Sequence, residues 1–393
     1  MSVMRVGVIG TGLIGPVHIE GLQRNPDLVQ AVGVAGTSLD KARATARRYG
    51  LPKAYESWEE MLQDREIDAV HVCSPNHLHH GMVKAALLAG KHVVCEKPLA
   101  LTRAEGEELV ELATSRGLFH GVHFNLRYYP LVQNLKRKIR SGHLGKLVNI
   151  HGGFLQDWLL YRDDYNWRLE SSKAGDTRVV GDLASHWFDM IEFLTGQQVQ
   201  QVCADFSTVH PVRRKPLGSV QTFSSAPSSP DDSGAWEEYQ VDTEDQASVL
   251  FRTDQGVQGS ALFSQVAAGR KCYLNFEIHG LEQAAGWNSE EPNHIWYGNR
   301  EGTNQVQVKD PSSFEEEARK YCSYPGGHQE GFGDTVKQFM RDFYSSVQAG
   351  TAGDYPSFRD GLREIEVCEA LLTSARSGSW QKVQGPAKDS TKI

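Results

Sequence analysis

The sequence predicts an α/β chain: an N-terminal doubly wound parallel sheet, then an α+β domain built on a large open, mostly antiparallel sheet. Three observations carry that expectation. Apolar runs alternate with helical patterns over residues 1–123. The first run, residues 6–9, ends in Gly10-Thr11-Gly12-Leu13-Ile14-Gly15. Beyond residue 124 the pattern changes to strands at hairpin spacing among a few helices. With 393 residues the chain is too long for one small core, and the change of pattern sets two domains, 1–123 and 124–393.

The elements follow in order. Residues 6–9, 29–35, 69–73, 92–95 and 118–122 read as buried strands. Helical patterns separate them. One covers 39–49 and closes at Gly50; Ser57 with Glu60 forms a capping box for a short helix. Another covers 78–89 and stops at Gly90. Thr102 with Glu105 caps a helix that runs to about Ala113. Strands regularly separated by helices imply parallel pairing with right-handed crossovers. In the second domain, residues 130–141 form an amphipathic helix stopped by Gly142. Residues 146–155 read as a strand and 182–194 as a helix. Strands follow at 247–252, 257–263 and 273–279, the first two joined by Asp254-Gln255-Gly256. Residues 213–238 are rich in Ser, Pro and Gly and read as an exposed insertion. Helices at 331–347 and 357–375 end the fold, and residues 388–393 read as a disordered tail.

Lys and Arg total 41 against 49 for Asp and Glu, a formal charge of -8. That balance fits a soluble protein and excludes a basic nucleic-acid-binding face. No apolar run reaches the length of a membrane span. Met1-Ser2-Val3-Met4-Arg5 leads straight into the first strand, leaving no room for a signal peptide. The six cysteines are scattered without a C-x-x-C pair. They read as reduced thiols, and the expected location is cytoplasmic.

Several motifs carry chemistry. Gly10 permits the tight turn, Gly12 lets backbone approach a pyrophosphate, and Gly15 lets helix and strand pack closely. Together with Leu13 and Ile14 they predict a Rossmann dinucleotide site. The second strand ends in Gly36-Thr37-Ser38, where a carboxylate would hold the ribose hydroxyls of NAD. Its absence, with hydroxyls at Thr37 and Ser38 and with Lys41 and Arg43 one turn on, leans the expectation to NADP over NAD. Ser74-Pro75-Asn76-His77-Leu78-His79-His80 holds three histidines, but no carboxylate or cysteine completes a metal set. No metal is expected there; a loop lining the nicotinamide ribose is the better reading. Glu96-Lys97-Pro98 follows a parallel strand, where ligands bind in such sheets. Lys97 can polarise a hydroxyl or carbonyl oxygen, or simply be a surface lysine paired with Glu96. Asp182 and His186 share a helix face, either as an acid/base pair or as a capping Asp with a core His. Asp189 is a second orienter or a solvated residue. Trp158, Tyr161, Tyr165 and Trp167 cluster near Arg168, as core or as faces for a sugar ring.

Together these residues resemble the Gfo/Idh/MocA family of oxidoreductases. The resemblance covers essentially the whole chain. It is specific at Gly10 to Gly15, at Glu96-Lys97-Pro98, at Asn125-Leu126-Arg127-Tyr128-Tyr129-Pro130, and from Gly181-Asp182 through His186 to Asp189. It implies hydride transfer between NAD(P) and a hydroxyl or carbonyl of a sugar, glycoside or cyclic polyol. It implies Lys97, Asp182 and His186 as the catalytic set, with His186 the acid/base. It places Asn125, Trp167 and Arg168 by the cofactor. The residues' own positions add Ser74, Pro75, Asn76, His79 and Glu96 there and Arg127, Trp158 and Tyr161 by the substrate; His328, in a Gly-rich turn before a helix, is unassigned by the resemblance and is read as reaching the substrate. The resemblance also implies a homodimer or homotetramer formed through the open sheet. Two departures stand out: Gly36 in place of an acidic residue, and the length of 213–238. The alternatives are an enzyme that keeps its nucleotide bound through a redox cycle and a non-catalytic nucleotide sensor. Such a sensor would have no need of Lys97, Asp182 and His186.

Overall fold

The computed structural model describes residues 3–217 and 236–385. The chain divides into two compact units. One comprises Met1–Tyr129 and Glu330–Ile365; the other comprises Pro130–Gln329 and Glu366–Ile393.

The first unit alternates β1 (Met4–Ile9), α1 (Ile14–Gln23), β2 (Val29–Ala35), α2 (Leu39–Tyr49), β3 (Lys53–Tyr55), α3 (Trp58–Gln63), β4 (Ala69–Val72), α4 (His79–Leu88), β5 (His92–Cys95), α5 (Arg103–Ser115) and β6 (His120–Val122). The strands form one six-stranded sheet in the order β3-β2-β1-β4-β5-β6, all parallel. Both faces of such a sheet are covered, so β1, β4 and β5 are largely apolar, with Val6, Val8, Val70, Val72, Val93 and Val94 fully buried. The Thr102–Glu105 capping box is complete. That at Ser57 is not. Its hydroxyl accepts from the Glu60 N–H, but the Glu60 carboxylate accepts from Glu56, one residue early, at 2.7 Å.

The second unit contains α6 (Pro130–Arg140), β7 (Leu147–Leu155), α7 (Ser171–Ala174), α8 (Ser185–Thr195), β8 (Val199–Ser207), β9 (Val212–Pro216), β10 (Trp236–Gln240), β11 (Gln246–Thr253), β12 (Gln258–Ser264), β13 (Tyr273–Gly280), β14 (Ala284–Asn288), β15 (His294–Gly298) and β16 (Gln305–Val308). After it come α9 (Phe332–Ala349), α10 (Phe358–Ser377) and β17 (Gln381–Lys382). A nine-stranded sheet runs β16-β15-β14-β13-β7-β12-β11-β8-β17; β7 and β12 pair in parallel and the other pairs are antiparallel. One face is packed under α8, where Trp187 and Phe188 meet Phe251 and Phe263 edge-on or tilted. The other face is open. It bears a depression of about 810 Å³ lined by residues that include His151, Asp205, Leu250 and Leu262. None of Lys97, Asp182 and His186 lines it.

Several expectations change. α9 belongs to the first unit, not the second domain. The reason is a close helix contact: a Cβ at Gly21 of α1 would stand 2.7 Å from Val336 of α9. Residues 124–129 also stay with the first unit, so the division falls at Tyr129/Pro130. The apolar residues of β13 do not all share the open face expected to carry assembly. Side chains alternate along a strand, so Phe276 and Ile278 point inward with Leu274, while Tyr273, Asn275, Glu277 and His279 take the open face.

Arg213, the first residue of the expected insertion, is fully buried. It donates to the carbonyls of Tyr161 at 2.7 Å and Leu159 at 2.8 Å, and to Asp245 at 2.9 Å. Arg178 donates to the same carboxylate. The flanks of the insertion form the antiparallel pair β9 and β10. Its residues 218–235, and the tail residues 388–393, lie outside the described residues. No described helix is long and apolar enough to cross a membrane.

Candidate active site

In the first unit the predicted residues gather at the carboxyl ends of β1, β2, β4 and β5. A Cβ at Gly10, where φ is +125°, would lie 2.4 Å from the Cys73 carbonyl oxygen. A Cβ at Gly15 would lie 2.0 Å from the Gly10 oxygen. Backbone packing therefore excludes any side chain at either place. Gly12 is different: a Cβ there would meet nothing within 4 Å, so its glycine leaves the loop face open. α2, α3 and α5 each begin with a side-chain cap, from Ser38, Ser57 and Thr102. α1 begins at an exposed Leu13 with no side-chain cap and no acidic residue in its first turn. Its N–H groups thus suit an anionic pyrophosphate, and the cradle fits a dinucleotide.

After β2, the Ser38 hydroxyl is engaged in capping α2, while Lys41 Nζ donates to Thr37 Oγ1 at 3.1 Å. A Cβ at Gly36 would crowd Thr11 at 2.8 Å. That close approach is a reason for glycine independent of nucleotide choice.

After β4, Ser74 and Pro75 lead into a 3-10 turn, Asn76–Leu78. His79 is buried with Nδ1 2.7 Å from the Pro98 carbonyl and Nε2 2.8 Å from the Ser74 carbonyl. It ties together the loops that follow β4 and β5; its burial lowers the imidazole pKa. His80 pairs with Glu108 at 2.7 Å, and His77 is exposed.

Lys97 follows β5 and precedes a cis bond to Pro98. Glu96 turns into the unit and meets a buried chain of imidazoles. Its Oε1 is 2.7 Å from His18 Nε2 and 2.6 Å from His123 Nδ1. His18 Nδ1 is 2.8 Å from His71 Nδ1, and His71 Nε2 is 2.7 Å from the Tyr344 hydroxyl. One assignment satisfies these four links with neutral rings. Tyr344 donates to His71, His71 to His18, and both His18 and His123 to an ionised Glu96. For His18 and His71 the electrostatics agree. Burial, then His123, pushes His18 down to about 4. Burial, then His18, takes His71 well below its ordinary value. Burial alone would raise Glu96, but His123 and His18 outweigh it and hold the carboxyl well below the usual range. Farther on, buried Asn125 donates to Thr335 at 2.7 Å, and buried Arg127 donates to Asp360 at 2.8 Å. The Arg127–Asp360 pair explains this buried guanidinium within its own unit.

In the second unit, Asp182 lies in a π-helical turn, Val180–Ala184, that runs directly into α8. The expected uniform helix therefore begins with a wider turn. Gln265 donates to Asp182 Oδ2 at 2.9 Å, and Arg168 Nε lies 3.4 Å from Oδ1. The Arg168 guanidinium also lies over the Trp167 ring, 4.5 Å from its centroid. Arg168, expected beside the cofactor, thus braces the expected catalytic carboxylate. Gln265 was not foreseen; it lies just past β12, and nothing in its sequence context marks it.

His186 is half-buried on the first turn of α8, edge-on to Phe154. Asp189 is buried one turn on. Trp158 and Tyr165 pack on a small core of Leu159, Leu169 and Val241, so packing accounts for both. Trp158 also donates to Gln156 at 2.7 Å. Tyr161 and His328 are exposed, the latter after Gly327 at φ +81°.

Comparison with known proteins gives a consistent answer. Residues 4–124 match the model of an oxidoreductase family with an NAD-binding Rossmann fold, and residues 132–285 match the Gfo/Idh/MocA C-terminal domain. The chain is 29% identical to levoglucosan dehydrogenase of Pseudarthrobacter phenanthrenivorans, covering 98% of this chain and 99% of that protein. It is 27% identical to glucose-6-phosphate 3-dehydrogenase of Bacillus subtilis, covering 94% and 95%. A solved levoglucosan dehydrogenase, in complex with NADH and L-sorbose, superposes with a TM-score of 0.88 at 29% identity, covering 98% of this chain and all of that one. With both domain models matched in order and the dinucleotide cradle in place, the chain belongs to the Gfo/Idh/MocA family of oxidoreductases.

Proposed function

We propose that this protein is an NAD(P)-dependent dehydrogenase or reductase acting on a CH–OH group of a sugar, glycoside or cyclic polyol. The observation that carries the reading is the uncapped first turn of α1 behind the open face at Gly12. A nicotinamide nucleotide held at the first turn of α1 would supply the hydride acceptor or donor. The chain supplies everything else. His186 takes the hydroxyl proton as general base. Asp182, held in place by Gln265 and Arg168, favours the protonated imidazole that results. Lys97 places a positive charge against the oxygen that becomes alkoxide-like. Glu96 and His79 act as positioning residues, fixing the turn that carries Lys97 from inside the unit.

On the nucleotide, we propose that NADP binds at least as well as NAD. No carboxylate ends β2, and Lys41 with Thr37 offers a cation and a hydroxyl there. A homodimer or homotetramer formed through the open face of the second sheet belongs to the same reading, as does a cytoplasmic location, consistent with six free cysteines.

The test is a substrate panel. Levoglucosan, glucose 6-phosphate, myo-inositol and common glycosides are offered with each nucleotide, and release of reduced nucleotide is followed. His186→Ala is expected to lower turnover about 10²- to 10⁴-fold with nucleotide affinity little changed. A folded His186→Ala protein with near-normal turnover would remove His186 from the mechanism. No nucleotide reduction across the whole panel would favour a sensor.

A further inference from the structure

Two groups of histidine and carboxylate side chains are close enough to share an ion among the described residues. Their geometries differ in kind. In the buried group the Glu96 oxygen lies 2.7 and 2.6 Å from the nitrogens of His18 and His123. Those are lengths of charge-assisted hydrogen bonds, and protons already account for every link in that chain.

The second group lies on the open face of the nine-stranded sheet. His151 of β7 stands directly opposite Glu277 of β13 in the antiparallel register. His279 follows Glu277 by two residues, so it projects from the same face. The two Nε2 atoms are 3.3 Å apart. Glu277 Oε2 lies 3.3 Å from His279 Nε2 and 3.6 Å from His151 Nε2. The ring centroids are 5.3 Å apart and the planes differ by only 26°. The rings therefore lean together, with the two nitrogens closer than the centroids.

These separations are too long for charge-assisted hydrogen bonds to the carboxylate, which close to about 2.7–2.9 Å. Two of the three match the edges of a tetrahedral coordination shell, and the third is slightly longer. Ligands about 2.0–2.1 Å from a tetrahedral zinc ion lie about 3.3–3.4 Å from each other. A point equidistant from the three atoms here is about 2.0 Å from each.

We propose that His151, Glu277 and His279 form a three-ligand site for a divalent transition ion of the zinc class. Two imidazoles and one carboxylate suit zinc, cobalt or nickel; magnesium and calcium prefer all-oxygen shells. The side chains are 45%, 45% and 34% exposed in the single chain, so the fourth position is open to water or, in an assembly through this face, to a donor from the facing copy. The site clamps neighbouring strands β7 and β13 near the middle of the sheet. It is independent of the dehydrogenase reading, since Lys97, Asp182 and His186 lie elsewhere in the chain.

Untagged full-length protein is stripped with a chelator and titrated with Co(II) and then Zn(II). The expected result is one ion per chain, a visible d–d band for Co(II) of the intensity of a four-coordinate site, and a higher melting temperature with Zn(II). His151→Gln, Glu277→Gln and His279→Gln are each expected to weaken binding at least about ten-fold. Their side chains lie on the open face, so metal-free melting is expected to match the parent. Binding no greater than background in the parent overturns the proposal. So does undiminished stoichiometric binding in His151→Gln/His279→Gln, which would place the ion elsewhere; His123→Gln then tests the buried group.

Discussion

At the residue scale, the buried chain from Glu96 to Tyr344 fixes a pH dependence. His18 is neutral in the fold with its pKa down at about 4, against 6.5 in the unfolded chain. Between those values the unfolded chain binds a proton that the folded chain refuses. Stability therefore falls as pH falls through that window, by about 3 kcal/mol in full. Glu96 acts in the same direction at lower pH. Its folded value lies below the unfolded one, so its contribution is present above the ordinary carboxylate range and is lost on acidification. Thermal melting between pH 7 and 5 is expected to show a steady loss, and His18→Gln is expected to lessen the slope by one proton's share, with His71 and His120 supplying part of the rest. An equal slope in both proteins would remove His18 as the cause. Little of this network was legible in the sequence. His18, His71, His123 and Tyr344 are spread over more than three hundred positions and carry no local motif. Glu96 was legible only because it stands beside Lys97.

At the element scale, local chemistry read well where it was local and failed where packing decided. Gly50 closing α2, and Thr102 with Glu105 opening α5, need only backbone geometry and one side chain. Arg213 needed knowledge of Asp245, a strand away in space, so its Ser- and Pro-rich surroundings misled. An exposed residue could be changed at little cost. Arg213→Met is instead expected to cost about 3–5 kcal/mol, because it breaks a buried ion pair and strands two carbonyls. The urea midpoint measures this; a shift under about 0.5 kcal/mol would return Arg213 to the surface class. The turn after β2 has a packing constraint too. Gly36→Asp tests nucleotide choice only if Thr11 yields, since the new Cβ would stand 2.8 Å from its methyl. The double variant Thr11→Gly/Gly36→Asp is therefore expected to move preference toward NAD by about ten-fold, or about 1.4 kcal/mol. Fluorescence titration with both nucleotides checks it. Clear NAD preference in the parent would sink the NADP reading.

At the scale of the whole molecule, periodicity foretold two kinds of sheet but not which segments build each unit. α9 has an apolar stripe that fits any sheet or helix; the close approach at Gly21 and the hydrogen bonds of Thr335 and Tyr344 show its partners. β14 to β16 have only four or five residues each, and Gly286 interrupts β14, so alternation never ran long enough to be seen. The same strand parity that buries Phe276 and Ile278 leaves other apolar side chains outside. Leu250 of β11 and Leu262 of β12 are 52% and 43% exposed on the open face and line the same depression. Each opposes a serine across the β11–β12 ladder, Ser260 and Ser248, so neither is shielded by a large neighbour. Covering a leucine fully is worth about 1.5–3 kcal/mol. A symmetric pairing of two such faces covers each leucine twice over, once in each copy. Light scattering at micromolar concentration is accordingly expected to give at least twice the chain mass. Leu250→Arg/Leu262→Arg is expected to halve that mass, or reduce it further, while leaving the melting profile of the single chain intact, because both side chains point away from the core. A parent protein that scatters as a monomer would reject assembly through this face. An unchanged mass in the double variant would move the interface to another surface.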